Sequence, residues 1–316
     1  MTFYGNTRIE YWQSREFSAL RMAFQESRKR KTLSRGDREL PRGRFRHDLL
    51  AVNSFSRRIW GQAISSELSR FFCDGGDGST HNRKIYFVSL MDIACARSPE
   101  EQLKDDELEI IKNRLRFALG DFSYLGMVEP AYYVNLHSGA RYDGKRCLFW
   151  HLHALVWGVS LKDLKKHLRK LVKRGRYSAI ANGLAATHTR KIKQAHLPSH
   201  VGYLLKSPCR TYRLFALDPE DGQGQPTTDS HSEVRPRFRQ KKLHLRHGDR
   251  VVLFHAMKNL HLDKLAVGGG SGAQLLRTAK RVALRVDDGL MPKKRPSRFL
   301  GMAEHRRRKL RYLKAA

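Results

Sequence analysis

Apolar residues recur along this chain in two rhythms, and the two rhythms divide it. In "KIYFVSL" (84–90), "YLGMVEPAYYVNL" (124–136) and "RCLFWHLHALVWG" (146–158) the β-branched and aromatic residues of strands predominate. Elsewhere the spacing is helical. "DELEIIKNRLRFALG" puts Leu108, Ile111, Leu115 and Leu119 on one face and ends at Gly120. "SLKDLKKHLRKLVKRG" opens with Ser160 and Asp163 at capping-box spacing and carries a stripe of Leu161, Leu164, Leu168 and Leu171. "LAATHTRKIK" reads as a further strand, and "LPSHVGYLLKSP" as a helix ending before Pro208. "HSGARYDGK" between the second and third strands has the Gly and Asp of a hairpin loop. The predicted order is β-α-β-β-α-β-α: an α+β fold with a central antiparallel sheet of the split βαβ type and helices packed against it.

Three units are expected. Residues 1–82 are a basic, helical N-terminal extension containing "NSFSRRIWGQAISSELSRFF" and closed by the loop "CDGGDGSTHNRK". Residues 83–216 form the patterned domain. Residues 217–316 are a basic, weakly periodic C-terminal extension entered through a polar loop, 217–233. "GGGSG" at 268–272 is followed by no GK[ST], which excludes an ATP-binding phosphate loop.

Charge narrows the partners. The 316 residues include 62 Lys and Arg against 30 Asp and Glu, a formal net charge of +32. Such a surface attracts a polyanion, since neutralised phosphates release condensed counterions. With 40% hydrophobic residues the chain can bury a core. No apolar run of about 18 residues is present, and the first residues lack an apolar signal core, so a cytoplasmic protein without a membrane partner is expected. Cys73, Cys95, Cys147 and Cys209 form no CxxC pair and read as reduced thiols.

The chemistry-bearing residues stand out against this pattern. Within "FWHLHALVWG" the strand period puts Leu148, Trp150, Leu152, Ala154 and Val156 on one face and His151 and His153 on the other. Two imidazoles at that spacing can share one divalent ion; a lone histidine there is more often a packing residue. A hairpin turn centred near residue 141 brings Glu129 opposite His153 as a third ligand. Asp92 is the second candidate, followed by His200 and His188. A carboxylate with two imidazoles suits Mg²⁺ or Mn²⁺ at a phosphate and also accepts Zn²⁺. In "HVGYLLK", Val201, Leu204 and Leu205 share one helical face, leaving His200, Tyr203 and Lys206 together on the other. A free phenol ionises near pH 10, so a nucleophilic tyrosine at neutral pH needs an adjacent cation.

An apolar strand "YFVSL", then His-Leu-His on a strand, then Tyr-x-x-Lys on a later helix resembles the HUH endonucleases, in particular the single-tyrosine rolling-circle replication initiators (Rep proteins). The likeness covers about residues 84 to 210. It implies that His151, His153 and Glu129 hold a divalent metal, Mg²⁺ or Mn²⁺, and that Tyr203 attacks a phosphate of single-stranded DNA at an origin or element end. It implies that Lys206 orients or neutralises the phosphate or protonates the departing group. The product would be a 5′-phosphotyrosine and a free 3′-hydroxyl for a polymerase. Without a Walker motif the chain would need a host helicase. Ser199 and Ser207 flank Tyr203 one turn away, and Tyr212 lies beyond Pro208, so a single nucleophile is expected. Flanking duplex DNA is assigned to the basic extensions. A transposase or relaxase of the same core, a hydrolytic metal nuclease and a non-catalytic nucleic-acid-binding protein are the competing readings.

Overall fold

The computed structural model describes residues 7–41, 48–73, 84–120, 122–134, 146–206, 208, 210–217 and 237–287. The expected hairpin loop 137–145, most of the loops 73–84 and 217–233, and the tail beyond 287 lie outside them. The helices are α1 (Thr7–Glu26), α2 (Arg35–Glu39), α3 (Ser54–Cys73), α4 (Asp105–Leu119), α5 (Leu161–Lys173), α6 (Leu197–Leu204), α7 (His247–Met257), α8 (Leu262–Leu265) and α9 (Ser271–Asp287). The strands are β1 (Ile85–Leu90), β2 (Ala96–Arg97), β3 (Ser123–Val134), β4 (Cys147–Trp157), β5 (Thr187–Ile192), β6 (Arg210–Ala216), β7 (Phe238–His244) and β8 (Ala266–Gly269).

The fold is mixed α+β. One sheet runs β5-β1-β4-β3-β6-β7, with β2 attached to β4 and β8 to β3. The expected succession from β1 to α6 is present, with the short β2 added. The pairing is antiparallel except between β3 and β6, which run parallel over Tyr132–Val134. Ser160 caps α5 by accepting from the Asp163 amide, and Leu164, Leu168 and Leu171 bury its apolar stripe. Leu108 and Ile111 do the same for α4.

Two expectations need correcting. The hairpin register is offset by two residues: Glu129 faces His151, and Met127 faces His153. A shift of two keeps every side chain on its face, so the alternation stays right while the partner changes. The segments expected as appended extensions also share the main core. Trp60, Ile64 and Leu68 of α3, together with Leu253, Val267 and Ala283 from the C-terminal segment, join one apolar cluster with the sheet. The weak periodicity read in the C-terminal segment conceals one single-faced helix: α9 buries Ala279 and Ala283 while Lys280, Arg281 and Val282 are exposed. Deleting either segment would therefore open the core, so charge substitution is the better probe of its surface.

"GGGSG" is a packing device. A Cβ on Gly272 would fall 1.9 Å from the Tyr124 carbonyl oxygen, and one on Gly269 would fall 2.3 Å from the Tyr124 ring. Alanine at Gly272, within α9, would gain about 1 kcal/mol of helix propensity. The backbone clash outweighs it, so Gly272→Ala is expected to destabilise the protein by about 2 kcal/mol or more. Urea unfolding checks this; a midpoint at or above wild type would show that the α9 start yields without cost.

Candidate metal centre

The sheet parts where His151 sits, next to His153, which stays paired with Ser89 of β1. On one edge of β4, β1 pairs with Leu152–Val156 and β2 with Leu148–Phe149, so Trp150 and His151 fall between them. On the far edge of β3, β8 pairs with Tyr124–Met127 and β6 with Tyr132–Val134, so Glu129 falls in a second gap. The cross-strand pair Glu129–His151 thus stands where four strands diverge.

Glu129, His151 and His153 are buried and converge. Glu129 Oε1 lies 3.3 Å from His151 Nε2 and 3.0 Å from His153 Nε2, and the two Nε2 atoms are 3.1 Å apart. Ligand atoms about 2.1 Å from one ion stand roughly 3.0 Å apart at right angles and about 3.4 Å apart at tetrahedral angles. The triangle falls in that range, so the group fits a divalent metal. Proton accounting agrees. His151 Nδ1 is 3.2 Å from the Phe149 carbonyl, which can only accept, so Nδ1 carries a hydrogen and Nε2 is the nitrogen turned toward Glu129 and His153. Ser89 Oγ, 2.8 Å from His153 Nδ1, orients the second ring. Among the described residues Glu129 Oε2 is buried without a hydrogen-bond partner, which leaves an acceptor that suits a cation.

Lys206 supplies part of that charge. Its ammonium is 3.1 Å from Glu129 Oε1 and 3.5 Å from the Tyr203 ring centroid. Burial works to lower its pKa, but Glu129 and Tyr203 override this and raise it, so it stays charged. Glu129 resolves likewise: desolvation would raise its pKa, yet Lys206 and the histidines hold it well below the usual carboxylate range. α6 is shorter than expected. It ends at Leu204, and Lys206 lies just past the cap residue Leu205.

Tyr203 is 36% exposed. The ring packs against Phe87 at 5.4 Å and His153 at 5.2 Å between centroids. The other candidates are placed elsewhere. Asp92 accepts from Arg114 Nε at 2.8 Å and caps the turn at Ala94. His200 bonds Arg190 and the His196 carbonyl. His188 is exposed, one strand beyond Ser89 in the same cross-sheet row as His153. The thiols of Cys95 and Cys147 are buried, and desolvation pushes them up to about 11 and about 12, so they are inert at neutral pH.

Two supporting residues escape a reading of the sequence. Ser89 is the one polar position in "YFVSL", and its pairing with His153 could have been inferred from strand alternation. Arg57 had no such signal. Buried in α3, it donates to the carbonyls of Ala51, at 2.5 Å, and Leu205, at 2.7 Å, and so holds the residue before Lys206. Desolvation lowers its pKa to about 10, and Glu129 opposes that shift.

His153 makes the metal-free protein sensitive to acid. Its pKa is pushed down to about 4, first by desolvation, against the pull of Glu129. The unfolded imidazole titrates near 6.5 and takes up a proton that the folded one refuses. The contribution is complete above about pH 6.5 and is lost as pH falls toward about 4, by at most about 1.4 kcal/mol per pH unit. Urea unfolding between pH 7 and 5 should show that slope, flattened in His153→Gln; equal slopes would place the acid sensitivity elsewhere.

No family model matches the chain, and neither a curated protein nor a solved structure matches it. Among the described residues no helix is long and apolar enough to cross a membrane.

Proposed function

We propose that this protein is a metal-dependent endonuclease that nicks and rejoins single-stranded DNA through one tyrosine, in the manner of HUH replication initiators. The observation that carries the reading is the adjacency of an accessible Tyr203 to His153, with Lys206 bridging Tyr203 and Glu129. A phenol, an ammonium and a metal-competent triad within one side-chain layer is what phosphoryl transfer to tyrosine requires.

In this reading the Tyr203 oxygen attacks the scissile phosphorus. The phenol loses its proton, a tyrosyl O–P bond forms, and the P–O3′ bond breaks. The 3′ oxygen leaves as a hydroxyl after taking up a proton. The bond count at phosphorus is unchanged, so a later 3′-hydroxyl can reverse the step without ATP. Lys206 neutralises the phosphate beside Tyr203 or donates to the departing oxygen. Phe87 and His153 hold the phenol ring, while Ser89 and the Phe149 carbonyl fix the imidazoles. A divalent ion held by Glu129, His151 and His153 would withdraw charge from the phosphate oxygens. Mg²⁺ or Mn²⁺ suits the mixed carboxylate–imidazole set at a phosphate. The biological setting that follows is initiation of rolling-circle replication of a plasmid or phage-like element, with a host helicase and polymerase. Transposition or mobilisation would use the same chemistry.

Incubating the protein with labelled single-stranded DNA from its own element, with Mn²⁺ or with EDTA, then resolving the products on a denaturing gel, tests this. A metal-dependent protein–DNA adduct is expected. Cleavage without an adduct would replace the proposal by a hydrolytic nuclease. Binding of a verified origin without cleavage would replace it by a non-catalytic binder, which the net charge of +32 serves equally well.

A further inference from the structure

The antiparallel ribbon β6–β7 takes no part in the metal triangle, yet it continues the same sheet. Its sequences, RTYRLFA and FRQKKLH, contain no acidic residue. β7 is the last strand of the sheet, and Arg239, Gln240, Lys241 and Lys242 are exposed in succession along it. Successive residues of a strand point to opposite faces, so Arg239 and Lys241 charge one face and Lys242 the other. β6 repeats the arrangement. Arg213 pairs across from Lys241 and Phe215 from Arg239, while Tyr212 pairs across from Lys242 and Arg210 from His244. Among the described residues none of Arg213, Arg239 and Lys241 has a carboxylate partner. The Arg213 Nε is buried without any acceptor. The aromatic components are also placed for contact: Phe215 is 36% exposed, and Tyr212 stacks on Tyr133 with the Lys242 ammonium 5.8 Å from its ring centroid.

The ribbon is tied to the metal centre by register. Tyr133 faces Tyr212 across the parallel pair, and Tyr133 lies on the same face of β3 as Glu129, four residues along. At about 3.3 Å per residue that is a separation of about 13 Å, about two nucleotides of an extended strand.

We propose that β6–β7 binds duplex DNA next to the cleavage site, lying in one groove with its two cationic faces toward the two phosphate backbones. The B-form major groove is about 12 Å wide and admits a two-stranded β-ribbon. A strand of DNA lying on the sheet would meet cations on one face only; a groove presents phosphates to both. The assignment rests on the reading of the protein as a DNA-acting enzyme, but its test does not depend on cleavage. Lysines on an edge strand also discourage edge-to-edge association. That role alone gives no reason for Arg210 and Arg213 on the inner strand.

The full chain and an Arg213→Gln/Arg239→Gln/Lys241→Gln variant are titrated with a DNA duplex of about two turns that has no single-stranded segment. The same titrations use a single-stranded oligonucleotide and an RNA duplex, all across a range of salt. The variant is expected to lose at least about tenfold in duplex-DNA affinity, and the slope of log affinity on log salt is expected to fall by about 2.7, or 0.9 per lost phosphate contact. Single-strand binding and any metal-dependent adduct should be unchanged. Lys241→Glu alone, at an exposed position, replaces the triple variant if that unfolds. Unchanged duplex affinity overturns the proposal, as does an equal loss for the single strand, an equal loss for the RNA duplex, or increased self-association as the only effect. Failure of the adduct assay with the duplex result intact would remove the nickase reading and leave the ribbon's role standing.

Discussion

Tyr203→Phe is expected to abolish the protein–DNA adduct and to lower metal-dependent cleavage by on the order of 10⁴-fold or more, the scale of losing a nucleophile. The substitution removes one oxygen and keeps the ring. Phenylalanine can still pack against Phe87 and His153, and the Lys206 ammonium can still lie over its face. Mn²⁺ affinity, read by calorimetry, and the urea midpoint should therefore stay close to wild type. That pairing makes the result interpretable. Surviving cleavage would mean that water is the attacking group and that Tyr203 only lines the site. Loss of metal binding along with cleavage would mean that the phenol oxygen supports the triad, and would withdraw the assignment of Tyr203 as nucleophile.

Glu129→Gln should produce the second large effect, and in two independent quantities. Metal affinity is expected to fall by about 100-fold or more, since the only charged ligand is lost. Stability should fall by about 3–5 kcal/mol, because Lys206 is left largely buried without its counter-charge, and Arg57 loses the one carboxylate that favours its charged form. His151→Asn should weaken metal binding while costing much less stability, because Glu129 and Lys206 remain each other's partners. Adding Lys206→Met to Glu129→Gln should recover most of the lost stability and none of the metal affinity. A Glu129→Gln protein as stable as wild type would show that the Glu129–Lys206 pair contributes little to the fold. An unchanged Mn²⁺ affinity would remove Glu129 from the ligand set.

What the sequence determined by itself was whatever depends on local periodicity. A strand repeats every two residues, so the sharing of one face by His151 and His153 followed from their spacing alone. The stripe and cap of α5, and the order of elements from β1 to α6, followed in the same way. Glu129 was placed on the right face of the right strand for that reason too, though opposite the wrong histidine, since the hairpin register is set across the strands and a shift of two leaves the alternation unchanged. Tertiary structure decided the rest. It gave Asp92 to Arg114 instead of a metal, because only the fold brings α4 beside the end of β1. It ended α6 before Lys206, so that this ammonium reaches Glu129 from outside the helix. It brought Arg57 from α3 to the Leu205 carbonyl across 148 residues of sequence. It also drew α3, α7, α8 and α9 into the core of the sheet, and pressed Gly272 onto Tyr124 where the sequence offered only a glycine run. Each of these is a contact between residues remote in the chain. Its energy comes from burial and charge pairing in the assembled core, and the spacing of neighbouring residues carries no record of it.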